Sequence, residues 1–512
     1  MGHFHFDVPP GETEFLDRTL WRDAYLCGIE GVPFPTQVSR EDHRLKLQRQ
    51  IDSSARLIIP ATVDGRGIRT LSTCSLRPNS TSDVYPLTLE LARGCCSQLR
   101  TQSAAWEQNG LRLDAAFRQV LRDGTGLFLE AASLRASVEK CHRTAWAAVE
   151  KLQDGLDQLA ELYAIQSMTY RKNRQGKLST LFAASTVPPC PVSVGTSRSG
   201  DGDSDEWSLY RATFNSMAIR TSWADVETDS GTMDFDQIET AIAAAERAGM
   251  RIMAGPIIDF RHRLMPHWLY LLEDNFESFL KSAVDFTEKL VARFCGRVQL
   301  WNVAAGLNTP GPMSLTDEQA MRLAVGILQT VRRGDPTTAA ILSFDQPCGE
   351  YLARHRDAIS PIHFADAIIR SGLGMAGIGI DFRMGYSTDA TSPRGAVDIG
   401  NAIDRWATLG MPLMVTVGIP GGIGRDDHAI APSTLLSTVT SPGGPADHQL
   451  ETAAPILRTL FAKPIVHAIV WDGWHDGKPH VHSHSGLIDA KGNERPLRPY
   501  CQRLKTELLD DA

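Results

Sequence analysis

Nowhere in the 512 residues does an apolar run reach the roughly 18 positions that a membrane-crossing helix needs. The opening stretch, Met1-Gly2-His3-Phe4-His5-Phe6-Asp7, has neither the basic segment nor the apolar segment of an export signal. The expectation is a soluble, cytoplasmic protein with no membrane partner. Positive charge is in deficit: 52 Lys and Arg stand against 60 Asp and Glu, a net charge of −8. A nucleic-acid binder needs a concentrated basic face, so no nucleic-acid partner is expected. Cysteine is sparse and odd in number, nine in all from Cys27 to Cys501. Only Cys95 and Cys96 are close, and adjacent cysteines rarely pair with each other. They read as core thiols on an apolar helix face in a reducing compartment. No glycine-rich phosphate fingerprint follows a first strand, which counts against a doubly wound nucleotide-binding sheet, and no cofactor is assigned. Gly421-Gly-Ile-Gly424 comes too late in the chain to serve as one. No repeat of fixed period is visible.

The chain does have the means to build a core. Apolar residues make up 42% and charged residues 22%, so it is not a disordered chain. Its length suits two to four domains, or one large barrel with an extension. Residues 1–86 read as a β-rich domain, with Arg56–Val63 and Gly67–Leu76 as short apolar runs between Asp-Gly and Pro-Asn turn signals. From Pro86 the period changes. Leu87, Leu91, Cys95 and Leu99 recur every four residues, with Trp106 near the same face. Phe117, Val120 and Leu121 start a second helix, and Val149, Leu152, Leu156, Leu159 and Tyr163 mark a third. Residues 87–177 are therefore a helical segment that ends in the polar connector Arg171–Lys177.

Residues 178–512 alternate short strands with helices. The expected strands are Leu181–Ser185, Ser216–Arg220, Arg251–Asp259, Val298–Val303, Ala339–Asp345, Gly377–Arg383, Leu413–Val417 and Val466–Trp471. Helices such as Asp236–Ala248, Phe276–Phe294 and Thr316–Arg332 fill the gaps. Eight strands alternating with helices over about 330 residues is the size of a (β/α)8 TIM barrel. Chemistry in that fold sits at the C-terminal strand ends. The third strand delivers Asp259, Arg261 and His262 there, and the fourth Trp301, Asn302 and Asn308. The fifth delivers Asp345 and Gln346, the sixth Asp381 and Arg383, and the eighth Trp471, Asp472, Trp474 and His475. Indoles stack on the apolar faces of sugars, while amides and carboxylates bind hydroxyls, so the expected partner is an oligo- or polysaccharide.

Several linked stretches in this region resemble the family-10 glycoside hydrolases, the xylanase-type barrels. Phe214-Asn215-Ser216, then Trp223 and Met233-Asp234-Phe235, is similar to that family's second strand and the stretch after it. Gly255-Pro256-Ile257-Ile258-Asp259 with Leu264-Met265-Pro266-His267-Trp268 resembles its third strand and the following Leu-Pro-Xaa-Trp. Val298–Val303 resembles its fourth strand and Gly377–Ile380 its sixth. Val470-Trp471, Gly486–Asp489 and Pro496–Tyr500 resemble its closing strand and last helix. The resemblance spans roughly 178–508. It implies hydrolysis of O-glycosidic bonds in a β-glycan such as xylan, by two glutamates that end strands four and seven. Here those two positions fall on Gly306 and Val417, with Ala305 in place of the helper asparagine. Neither glycine nor valine can give a proton or attack an anomeric carbon. No Asp or Glu lies between Arg297 and Gly311, or between Trp406 and Gly424.

If the chain is active, other carboxylates must act. Asp345 and Asp381, on neighbouring strands, are the catalytic candidates, with an inverting pair needing about 6.5–9.5 Å between carboxyls. Asp259, Arg261, His262, Trp301, Asn302, Asn308, Gln346, Arg383, Trp471, Asp472, Trp474 and His475 are the candidate saccharide contacts. Arg261, His262 and Arg383 either bind an acidic sugar or pair with the aspartates across the mouth. Trp471, with Trp474 and His475 close behind it, is expected to touch ligand. His475, His480, His482 and His484 form a dense cluster, which on a strand would share one face. It reads as a polar loop with no metal, because no carboxylate or cysteine set accompanies it. Thr196–Glu206 has the composition of a calcium loop but misses the EF-hand spacing, and reads as a solvated loop. The alternative to an active hydrolase is a catalytically dead pseudoenzyme that binds glycan or serves as a scaffold. The sequence leaves that choice open, together with the saccharide, the anomeric outcome and the oligomeric state.

Overall fold

The computed structural model describes residues 1–9, 20–187, 205–261, 263–387, 390–431, 433–436 and 443–510. The segment Thr196–Glu206 and the residue His262 thus fall wholly or mainly outside the described residues.

Two small four-stranded sheets open the chain. In one, Gly2–Asp7 pairs antiparallel with Arg44–Arg49, which pairs with Gln37–Glu41. In the other, Arg56–Val63 pairs with Gly67–Ser72 on one side and Tyr25–Cys27 on the other. Three helices follow, Leu87–Gln108, Ala115–Ser133 and Val138–Gln175. The apolar stripes foreseen in them are their buried faces: Leu87, Leu91, Cys95 and Leu99 in the first, and Val149, Leu152, Leu156 and Leu159 in the third. Trp106 stacks on Tyr163 with ring centroids 4.4 Å apart. Asp114 caps the second helix by accepting the Phe117 amide.

The remaining chain closes into a barrel of eight parallel strands: Leu181–Thr186, Ser216–Ile219, Arg251–Ala254, Leu300–Ala305, Ala339–Asp345, Gly377–Arg383, Leu413–Gly418 and Val466–Trp471. Each pairs with the next, the third being extended by the short strand Ile258–Asp259, and the eighth returns to the first through Ala468↔Leu181 to Trp471↔Ala184. Side chains alternate between inside and outside along every strand. Ala183, Met253, Ile341, Met414, Ala468 and Val470 fill the interior as a cluster of their own. Their strand neighbours, such as Leu342, Phe344, Val415 and Ile469, belong to the larger core between strands and helices. This alternation decides which strand-end residues reach the mouth.

The N-terminal part is fastened to the barrel at several points. Gln98 donates to Asp398 at 2.6 Å, and the Thr70 amide donates to the Pro393 carbonyl at 2.7 Å. Arg171 donates to the carbonyls of Phe461 and Lys463. Arg394, in the loop after strand six, donates to Tyr25 Oη at 3.1 Å and to Glu350 at 3.0 Å. Removing one partner of a buried ion pair leaves the other charge uncompensated. Arg394→Ala is therefore expected to destabilise the protein by about 3 kcal/mol, and Tyr25→Phe by about 1 kcal/mol, in urea unfolding; equal effects would contradict the assignment.

Candidate functional site

Five of the eight strands send a charged residue inward at the C-terminal end of the barrel or into the loop that follows. Arg220 follows strand two, and Asp259 and Arg261 follow strand three. Strand five ends in Asp345, strand six carries Asp381 and Arg383, and Asp472 follows strand eight. The four carboxylates are each only 4 or 5% exposed. Buried charge is tolerated only with partners, and here the partners are one another. Arg261 grips Asp259 through Nε and Nη2, and Arg220 bonds the same carboxylate. Arg383 gives each of its three nitrogens to a different strand: Nη1 to Asp345, Nη2 to Asp381 at 2.9 Å, and Nε to Asp472 at 3.3 Å. Arg261 lies 3.8 Å from both Asp345 and Asp381, which joins the two halves. His482 closes the set, donating Nδ1–H to Asp472 Oδ2 at 2.7 Å.

The electrostatics follow from that wiring. Burial works to raise the pKa of Asp259, and the guanidiniums of Arg261 and Arg220 overcome it, holding the carboxyl well below the usual range. Asp472 is depressed in the same way, against its burial, by His482 and Arg383. Asp345 goes the other way: burial raises it more than Arg383 and Arg261 lower it, and the Asp381 charge adds to the rise. Arg383 is held protonated, because Asp381, Asp345 and Asp472 outweigh its burial. Burial lowers the pKa of His482 against the pull of Asp472.

Of the two positions where the resemblance places glutamates, Gly306 lies under this network and Val417 does not. Gly306 has φ +76°, and a Cβ there would stand 2.8 Å from Arg261 Cγ. At strand seven, Val417 turns out into the core between strands and helices. The residue that faces the mouth is its neighbour Gly418, whose Cβ would stand 2.9 Å from the Asp472 Cβ. What space is left within the strands is a cavity of about 40 Å³, bounded by Arg261, Asn302, Asp381 and Arg383 among others. That is room for one or two waters, far below the 300 Å³ or more of a typical ligand pocket.

The other expected site residues divide by strand face. Asn302 points inward beside that cavity. Asn308 clasps the backbone of Asp345 from both sides, Nδ2 donating to its carbonyl at 2.8 Å and Oδ1 accepting its amide at 3.1 Å. Trp301 and Trp471 are 0% exposed and lie on the outward face, a placement that departs from the expected ligand contact. Their indoles donate to Asp335 at 3.0 Å and to the Ser485 carbonyl at 2.7 Å. Trp474 is buried against Tyr210 and Phe214 and donates to Glu206. His475 accepts the Gly477 amide at 2.8 Å, at the edge of the Ile488 turn. Gln346, with a left-handed backbone at φ +45°, faces a different space. That space is an open cleft of about 340 Å³ between the mouth and the N-terminal sheets, where Trp21, Tyr25, Glu350, Tyr386 and Thr391 also contribute. Sequence alone does not single out Arg220 or His482. Arg220 stands at a strand end like Asp345 and Arg383, and His482 is one histidine among four.

Beside the mouth, outside the arginine network, Asp426, Asp476 and His484 bring donor atoms within 4.8 Å of one another. Among the described residues no helix is long and apolar enough to cross a membrane, and eight cysteines are free thiols.

No protein-family model matches the chain, and no curated protein matches it. Solved structures do. Native xylanase 10B from Thermotoga maritima is similar at 17% identity, over 65% of this chain and 97% of that one, with a TM-score of 0.47. Xylanase 10B from Thermotoga petrophila in complex with xylobiose is similar at 17% identity, over 64% and 95%, with a TM-score of 0.45. A family-10 structure from Paenibacillus barcinonensis is similar at 12%, over 66% and 97%, with a TM-score of 0.47. The barrel itself is established by the strand pairing described above, independently of these likenesses.

Two outcomes follow from the network. Arg383→Met strands three buried carboxylates and is expected to cost about 3–5 kcal/mol in urea unfolding. Adding Asp345→Asn should recover part of that loss; strict additivity of the two would show that the pair is not coupled. The second concerns pH. His482 binds its proton less readily folded than unfolded, so the unfolded chain takes up more protons below the ordinary value of 6.5. Stability due to this group is complete above that value and falls as pH falls through it. The melting temperature is expected to drop between pH 7 and 5, and His482→Gln to flatten that slope; an unchanged slope would place the titration elsewhere.

Proposed function

We propose that this protein is a pseudoenzyme that binds saccharide without cleaving glycosidic bonds. The observation that carries the reading is the position of Arg383, bonded at once to Asp345, Asp381 and Asp472. Glycoside hydrolysis needs two carboxyl groups facing one sugar bond, either about 5–5.5 Å apart for retention or about 6.5–9.5 Å for inversion. It also needs room between them for the ring or the attacking water. The raised pKa of Asp345 is the right direction for a general acid. Its carboxylate nevertheless meets a guanidinium rather than an opening, and Asp381 shares that guanidinium. Arg261 stands over Gly306, one of the two positions where the resemblance places a glutamate, and Val417, the other, faces away from the mouth.

Binding is assigned instead to the cleft beside Gln346. Its size suits a short oligosaccharide. Trp21, with Arg22 over its ring at 5.5 Å, lines the cleft with a half-buried indole, and the Gln346 amide and Glu350 offer partners for hydroxyls. A xylan-type β-glycan is the proposed ligand. Two things support that class: the sequence resemblance, and the amide, carboxylate and indole chemistry of the cleft.

The test is incubation of the purified protein with xylohexaose and cellohexaose, with new reducing ends and binding heat measured together. No turnover is expected, and Gln346→Ala should weaken binding about tenfold, or about 1.4 kcal/mol. Hydrolysis abolished by Asp345→Asn or Asp381→Asn would overturn the reading in favour of an active inverting enzyme. Neither turnover nor binding would overturn the saccharide assignment.

A further inference from the structure

The loops after strands seven and eight meet beside the mouth. Ala429 and His480 form a parallel bridge, the Ile430 amide donates to the His480 carbonyl, and the Gly421 amide donates to the His484 carbonyl. The histidines do not share one face as a strand would have them. His482 turns to Asp472, while His480 and His484 turn the other way, towards Asp426.

At that second place two neutral imidazoles would leave lone pairs facing carboxylates, a conflict that a bound cation or a second ring proton relieves. A neutral imidazole carries one N–H. His480 Nδ1 faces the Lys478 carbonyl at 2.8 Å, and His484 Nε2 faces the Gly424 carbonyl at 3.1 Å. A carbonyl only accepts, so a neutral ring would commit its one proton there. In that state the other nitrogens, His480 Nε2 and His484 Nδ1, would face Asp426 Oδ2 as lone pairs, at 3.0 and 3.6 Å. That oxygen is an acceptor too, and it already takes the His484 amide at 2.8 Å. Asp476 Oδ1 comes within 3.7 Å of His480 Nε2. The far side of Asp476 is held by Arg495 at 2.6 Å, and its near oxygen by the Gly486 amide at 2.7 Å. Rings fixed through their outer nitrogens by main-chain carbonyls, with the inner nitrogens converging on carboxylates, are how metal-ligating histidines are oriented.

We propose that Asp426, Asp476 and His484, with His480 against both aspartates, form a binding site for a divalent transition-metal ion of the zinc class. Imidazole nitrogen with two carboxylate oxygens suits zinc, whereas magnesium and calcium prefer oxygen alone. The Asp426, Asp476 and His484 donor atoms lie within 4.8 Å of one another, and a small closure brings them to the edge of a zinc tetrahedron, about 3.3 Å. Two aspartates and one arginine leave a net negative charge for the ion to meet. The Asp426, Asp476 and His480 side chains are buried, and that of His484 is 14% exposed. The ion would pin the strand-seven loop to the strand-eight loop, next to His482 and the arginine network. Asp476 stands four residues before His480, but Asp426 lies 54 residues before it, so local spacing does not announce the whole set.

The test uses the full chain, stripped with a chelator, dialysed, and titrated with zinc chloride at pH 7.5 by calorimetry. One zinc per chain is expected, unaffected by millimolar magnesium or calcium chloride, with the melting temperature raised by about 5 °C or more. Asp426→Asn and His484→Ala should each weaken binding at least about 100-fold. The exposed His467→Ala should leave it unchanged. Failure of the folded wild-type chain to take up zinc would overturn the proposal. So would uptake that survives both substitutions, or ¹⁵N shifts that show His480 and His484 doubly protonated at pH 7.5 with zinc present.

Discussion

Arg383 is bonded through all three guanidinium nitrogens to carboxylates from three different parts of the barrel rim, and the rest of the mouth is arranged around that fact. A guanidinium is planar, permanently charged and costly to strip of water, so it stays buried only where several acceptors meet it in its own plane. Asp345, Asp381 and Asp472 supply them, and Arg261 and Arg220 compensate the fourth carboxylate, Asp259. Asn308 fixes the backbone from which Asp345 projects. Taking any one member away leaves the others short of a partner. The set therefore behaves as one structural unit.

Two glycines make room for this unit. Gly306 and Gly418 leave space that Arg261 and Asp472 enter, with distances of 2.8 and 2.9 Å from where a Cβ would sit. A long side chain at either place would have to expel a charged side chain and strand that side chain's partners. The price is paid in ligand space, since the cavity between the strands holds water-sized groups only, and the larger opening lies to the side, against the N-terminal sheets.

Much of the architecture is legible in the chain because periodicity reports which residues are buried. Ala339–Asp345, Gly377–Arg383 and Val466–Trp471 are the strands that their apolar runs imply, and Leu87, Leu91, Cys95 and Leu99 are a buried helix face. The charged strand ends were legible too, as was the pairing of arginines with aspartates as one of two readings. The face on which a strand-end residue lands was harder. Trp301, Trp471 and Val417 stand one position from Asn302, Asp472 and Gly418, and a period of two sends each to the opposite side of the wall. Arg220 shared the signal of its neighbours and needed only the same rule. Asp426 and His480 had no local signal, because the turn that brings them together is made by two loops and the helix between them.

The account stands or falls on who occupies the barrel mouth when saccharide is abundant. A crystal structure of the protein grown with saturating xylotetraose asks that directly. The expected result keeps Arg383 on Asp345, Asp381 and Asp472, with any sugar density confined to the cleft beside Gln346. A sugar ring seated among the strand ends, with Arg261 or Arg383 swung out to admit it, would contradict the account.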